Sequence, residues 1–245
     1  MPSLGRLHLI TDTRPGRDPL STVRAALAVA GPELVVQVRV EDDVDDRTAY
    51  ELAGEILALC APVGATCLVN DRLDVALAVG AAGAHVGARD LPVDVARRLL
   101  GPAAVLGATA RDREAGIAAV AAGASYLGVG PCHATATKDG LPAPIGPEGV
   151  RRVASAVSVP VIAIGGITAA RVPALRAAGA YGVAVVGALS QAADPARATA
   201  ELLAALDAVP GRPSGDPAPV AATGSDPGPP PGGGAGAHSA GVAAC

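Results

Sequence analysis

The segment Gly128-Val-Gly-Pro-Cys-His-Ala-Thr-Ala-Thr-Lys138 follows a short apolar run, Ala124 to Leu127. Its glycines, the hydroxyls of Thr135 and Thr137, and the cation of Lys138 are the groups that surround phosphate oxygens in a backbone cradle. Four further places carry polar groups right after apolar runs. Gln37 and Arg39 stand two apart and so share one face of a strand. Asn70 is followed by Asp71, and Gly87-Ala-Arg is followed by Asp90. Thr109 follows the run at 103–107. Gly165-Gly166 and Val186-Gly187 close two more runs and suit amide contacts to a phosphate.

Asp71 and Asp90 together make a candidate site for a divalent cation, because Mg²⁺ takes one or two carboxylates and completes its shell with water and phosphate oxygens. The competing reading is that each aspartate caps the helix after it, and spacing alone leaves that open. The cations Arg39 and Lys138 would face a phosphorylated ligand, although a lone cation is commonly a solvated surface charge. His133 offers an acid or base, or a packed ring. His8 and His85 fall inside strands and read as structural.

Eight strand-like runs alternate with helical segments. The strands are expected at Leu7–Thr11, Leu34–Val40, Thr66–Asn70, Ala84–Val86, Ala103–Gly107, Ala124–Val129, Val159–Ile164 and Gly182–Val186. The helices are expected at Leu20–Ala30, Thr48–Ala61, Arg72–Val79, from Pro92, which opens the next helix at its first turn, and at Glu114–Ala122, Pro147–Ala156, Ala169–Ala178 and Pro195–Leu206. Eightfold alternation predicts a single α/β (β/α)₈ TIM barrel, whose working residues sit at strand C-termini. Ala82-Gly83-Ala84, Ala122-Gly123-Ala124 and Ala178-Gly179-Ala180 repeat at helix-to-strand junctions. A doubly wound sheet is the rival, but no GxGxxG follows the first strand.

Composition agrees. Half of the 245 residues are hydrophobic, yet Phe and Trp are absent, so the core must be Val, Leu, Ile and Ala. Branched side chains of that kind fill barrel interiors. The barrel is expected over 1–208, and the Pro/Gly/Ala-rich stretch 209–245 reads as a disordered tail. A net charge of −4 offers no field for nucleic acid. The N-terminal residues lack the apolar stretch of a signal peptide, so none is expected, and no apolar segment approaches membrane-spanning length. None of the four cysteines forms a CxxC pair, so free thiols and a cytoplasmic location are expected. A homo-oligomer is compatible with the sequence, which shows no partner motif.

These residues, taken in order, resemble the thiamine-phosphate synthase family. The matching pieces are Leu7–Asp12, Gln37-Val-Arg39, Asn70-Asp71-Arg72, Gly83–Gly87 with Asp90-Leu-Pro92, Gly128–Pro131, Thr135–Lys138, Ala163–Ile167 and Gly182–Val186. The resemblance implies a Mg²⁺-dependent condensation of hydroxymethylpyrimidine diphosphate with thiazole phosphate, giving thiamine phosphate and diphosphate. It implies that Gln37 touches the pyrimidine and that Arg39, Asn70 and Lys138 touch the diphosphate. Asp71 and Asp90 would hold Mg²⁺, and Thr109 falls where the family has serine. Thr135, Thr137, Gly166, Val186 and Gly187 would bind the thiazole phosphate. Arg39, Thr109 and Lys138 are the residues expected to serve the chemical step. The alternatives are a thiazole tautomerase of the same superfamily, favoured by His133, and a non-catalytic barrel that binds thiamine phosphates. The family has lysine at the place of Glu41, and this reversal of charge predicts that Arg89 replaces the lost cation or pairs with Glu41.

Overall fold

The computed structural model describes residues 4–135, 137 and 140–209. Lys138 and the predicted tail from 210 onward lie outside the described residues. The strands are β1 (Leu7–Ile10), β2 (Leu34–Val38), β3 (Thr66–Asn70), β4 (Gly83–Val86), β5 (Val105–Ala110), β6 (Tyr126–Val129), β7 (Val161–Ile164) and β8 (Gly182–Val185). They close into one parallel barrel in chain order, β8 pairing back onto β1. The intervening helices are α1 (Pro19–Ala30), α2 (Asp46–Cys60), α3 (Leu73–Val79), α4 (Val93–Leu100), α5 (Arg113–Ala121), α6 (Gly146–Ala154), α7 (Val172–Ala177), α8 (Gly187–Ser190) and α9 (Pro195–Asp207). No helix among the described residues is long and apolar enough to cross a membrane.

Local chemistry sets the element ends. Asp18 and Asp194 accept the Ser21 and Arg197 amide protons, and each is followed by a proline at the first helical position. This combination satisfies an orphan amide and pre-sets the helical φ. Gly123 and Gly179 take φ of 104° and 98° at their helix-to-strand junctions, a region where a Cβ is strained.

Alternation along each strand splits the core in two. One set of side chains packs outward against the helices, with Leu9, Val36, Val69, Leu106 and Leu127 all buried. The other set fills the barrel axis: Ile10, Val35, Leu68, Tyr126, Ile162 and Ala184. The absence of Phe and Trp is met by one large ring, Tyr126, at the centre of the barrel.

Two expectations need correction. The fifth strand lies at Val105–Ala110 and not at Ala103–Gly107, so Thr109 is within the strand. Gly107 looked like a strand end, but it is an interior position left empty for neighbouring rings. An added Cβ there would overlap Tyr126 Cζ and Oη and His85 Nδ1. Pro92 is the N-cap of α4 and not part of its first turn.

Candidate active site

Lys138 apart, the polar residues proposed for the site lie at or next to the C-terminal strand ends, which form one rim. Gln37 is buried inside the barrel, and its Nε2 donates to Asn70 Oδ1 on the neighbouring strand at 3.1 Å. Arg39 begins just past the end of β2. Its amide donates to Thr11 Oγ1 at 2.7 Å, and its carbonyl accepts from the same hydroxyl at 2.6 Å. Its guanidinium meets Glu41, Nη1 to Oε1 at 3.2 Å. The expected pairing of Glu41 with Arg89 is therefore replaced by one with Arg39, two residues away in the chain just past β2.

The capping reading of the two aspartates does not hold. The N-caps of α3 and α4 are Arg72 and Pro92. Asp71 instead takes φ of 62°, a conformation that a short polar side chain tolerates better than most. Its amide donates to the His85 carbonyl at 2.9 Å, which fixes it against the end of β4. Asp90 turns back onto the same place, its Oδ2 accepting the Gly87 amide proton at 2.6 Å. Both side chains are exposed at adjoining strand ends. Thr109 belongs to the same corner: a Cβ on Gly87 would lie 2.9 Å from Asp90 Oδ2 and 4.0 Å from Thr109 Oγ1.

On the other side of the ring the loop after β6 is laid over β7. The amides of Cys132 and His133 donate to the carbonyls of Ile164 and Gly165 at 2.7 and 3.0 Å. The chain then passes so close to Gly166 that a Cβ there would sit 2.6 Å from the Ala134 carbonyl oxygen. Thr135 and Thr137 follow, their hydroxyls 2.5 Å apart. Thr137 Cγ2 lies 4.0 Å from the place a Cβ on Gly187 would take. The loop thus runs against Gly166 through Ala134 and against Gly187 at the start of α8 through the Thr137 methyl. Val186 is the N-cap of that helix. The Val186 carbonyl accepts the Leu189 and Ser190 amide protons at 3.1 and 3.0 Å and so closes this single turn.

His133 Nε2 is buried and has no hydrogen-bond partner among the described residues. Burial, and secondly Arg171, hold its imidazole below the usual histidine range. Arg171 Nη1 donates to the Gly166 carbonyl at 2.5 Å and thereby ties the β7 loop to its own helix.

Residues 7–189 match the family model described as thiamine monophosphate synthase (TMP-TENI). The thiamine-phosphate synthase of Salinispora arenicola is 72% identical over 206 residues, covering 84% of this chain and 99% of the relative. That of Moorella thermoacetica is 46% identical over 187 residues, covering 76% and 88%.

The chain belongs to the thiamine monophosphate synthase family.

Membership makes it a transferase of thiamine biosynthesis. The solved thiamine phosphate pyrophosphorylase from Pyrococcus furiosus superposes with a TM-score of 0.74 at 34% identity, covering 83% of this chain and 96% of that one. A 3-hexulose-6-phosphate synthase superposes at 0.60 with 19% identity, covering 82% and 99%, a likeness of fold alone.

Within this thiamine monophosphate synthase barrel, the sequence reading passed over two groups. The first is His85, read as a structural strand residue. Its Nε2 lies 3.0 Å from Thr109 Oγ1 and its Nδ1 3.1 Å from the Tyr126 hydroxyl, so it aims the threonine at the rim. The inward alternation of Gly83, His85 and Gly87 was the available signal. The second is Asp12, buried at the end of β1. It accepts from Arg14 Nε and Nη2 at 2.7 and 2.8 Å and from Ser190 Oγ at 2.7 Å. The Arg14 guanidinium holds the Asp12 carboxyl down to about 2, against the upward push of burial. This contact fastens α8, and with it the turn at Gly187, to the far edge of β1. Nothing in local sequence pairs residues 12 and 190.

Proposed function

We propose that this barrel joins an aminopyrimidine methyl diphosphate to a thiazole phosphate and releases diphosphate. The observation that carries the reading is the shared rim. The Thr135–Thr137 loop lies over Gly166 and Gly187 on the same end of the barrel as Arg39, Asp71, Asp90 and Thr109. One set of groups suits a phosphate monoester held by hydroxyls and amides. The other suits a diphosphate with its metal.

The donor set fits Mg²⁺. Asp71 and Asp90 are hard oxygen ligands, and this ion takes one or two carboxylates alongside water and substrate phosphate. Among the described residues no cluster of three or more His, Cys, Asp or Glu forms a cage of the kind a structural metal prefers. When bound, the ion supplies positive charge to the departing diphosphate oxygens.

The chain's own residues do the rest. Arg39 presents a fork of N–H donors to the same oxygens as the bond from the pyrimidine methylene carbon to oxygen breaks and the electron pair leaves with diphosphate. Gln37 holds its amide toward the pyrimidine, and Asn70, which accepts from it, serves the diphosphate beside Arg39. Thr109, aimed by His85, lines the wall between them. Thr135, Thr137, Gly166 and the amides of Val186 and Gly187 hold the thiazole phosphate, so that its ring nitrogen faces the carbon and forms the new bond. Proximity of this kind replaces an encounter in solution. Lys138, outside the described residues, is assigned to the diphosphate on the family resemblance. The reading places the chain in the cytoplasm, in keeping with the free buried thiols of Cys60, Cys67 and Cys132.

The test mixes the purified chain with both substrates and Mg²⁺ and follows diphosphate. Thiamine phosphate and diphosphate should form together. Asp71→Asn should lower kcat/KM by about tenfold or more, because one ligand loses its charge while the loop keeps its shape. Isomerised thiazole without diphosphate would replace the reading by a tautomerase. Binding without turnover would replace it by a carrier.

A further inference from the structure

The pair of Arg39 and Glu41 asks for an explanation, because it places a carboxylate on the cation assigned to the diphosphate. Both residues hang from the loop after β1. Arg39 is held through its amide and carbonyl by Thr11, and the Glu41 amide donates to Thr13 Oγ1 at 3.2 Å. The side chains lie edge to edge, with Nη1–Oε1 at 3.2 Å and Nη2–Oε2 at 3.5 Å. They are 18% and 31% exposed, so the attraction is less screened than at an open surface. Asp42 and Asp43, next in the chain, are exposed.

We infer that Glu41 is a resident counter-ion that occupies Arg39 while the site is empty and competes with the diphosphate for it. The inference rests on the reading that Arg39 meets the diphosphate. Two physical points decide its sign. The Thr11 contacts already fix the backbone of Arg39, so the carboxylate adds little to its placement. Once a polyanion arrives, a carboxylate beside it repels, and one edge of the guanidinium must be given up. Glu41 therefore weakens ground-state binding of the diphosphate group. Because diphosphate is also a product, the same competition eases its departure.

Inorganic pyrophosphate with Mg²⁺ is the probe, titrated calorimetrically at low salt into the full chain. Glu41→Gln should bind it roughly three- to tenfold more tightly, a factor in line with a partly shielded ion pair. KM for the pyrimidine diphosphate should fall by a similar factor while kcat stays level or drops. Tighter binding is a result that damage to the fold does not produce. Asp43→Asn should change affinity by less than twofold, since its charge is exposed and screened. Arg39→Ala should weaken binding, and the gain from Glu41→Gln should shrink in that background. If Arg39→Ala leaves pyrophosphate binding unchanged, the assignment of this corner to the diphosphate falls, and the counter-ion with it. If Arg39→Ala weakens binding while Glu41→Gln leaves it level or weaker, the counter-ion role alone is overturned. An equal gain from Asp43→Asn would overturn it too, showing a general field instead of a partner exchange.

Discussion

Gly107→Ala is expected to destabilise the barrel by about 3 kcal/mol and to cut activity far beyond what the loss of folded protein explains. The added carbon has no free space. It would overlap the ring and hydroxyl of Tyr126 and the imidazole of His85, and all three groups are enclosed by strands. Overpacking usually costs less, because a flexible side chain swings aside. Here the obstacles are two rings linked by a 3.1 Å hydrogen bond, with Thr109 attached to the far nitrogen at 3.0 Å. Relief must come from moving the rings, and moving His85 displaces the Thr109 hydroxyl at the rim. Denaturant unfolding gives the stability, and kcat/KM measured well below the unfolding midpoint gives the second effect. Trimming the obstacle should help: Tyr126→Leu in the alanine background should cost less than the sum of the single changes. A stable, fully active Gly107→Ala protein would show that the barrel axis is not filled in this way.

The second large effect is acid sensitivity from His8. This imidazole is buried on the barrel axis, and burial pushes it down to about 3. Its Nε2–H donates to the Gly5 carbonyl at 3.2 Å, and its ring meets the edge of Tyr126 with centroids 5.2 Å apart. A proton on it would also face His85. The unfolded chain binds a proton here near the ordinary histidine value, whereas the folded chain does not. Stability is therefore fully present above about pH 6.5 and is lost as pH falls from there toward 3. About 2 kcal/mol should be gone by pH 5. Urea unfolding at pH 7.5 and pH 5 measures it, and His8→Gln should remove most of the difference. His133, shifted the same way but less buried, accounts for a smaller remainder. Asp12, held low by Arg14, adds its own loss only below about pH 4. An unchanged slope in His8→Gln would transfer the effect to another group.

Much of the architecture was legible because its signals are local. The run at 66–70 ends at Asn70 in both the sequence reading and the barrel, since a β-branched and aliphatic stretch bounded by polar residues has few other uses. The fifth strand was misplaced by the same logic. A glycine in a short apolar run looks like a terminus, and only the rings of Tyr126 and His85 reveal it as reserved space. The four-residue helix α8 escaped notice because it is shorter than the period that would betray it. Asp71 and Asp90 illustrate the limit at the site. Their spacing is equally that of helix caps, and what separates the two readings is a backbone angle and a bond to Gly87.

By itself the order of residues determined that strands and helices alternate eight times and that phosphate- and metal-type groups fall where strands stop. Those are properties of neighbours along the chain. Which of these groups meet was decided by the closed ring alone. Asp12 with Ser190, His85 with Tyr126, and Thr137 with Gly187 are joined through barrel closure and packing, and the Arg39 backbone is held by Thr11, from the loop after β1. Periodicity reports which face a side chain takes. It carries no record of what stands opposite.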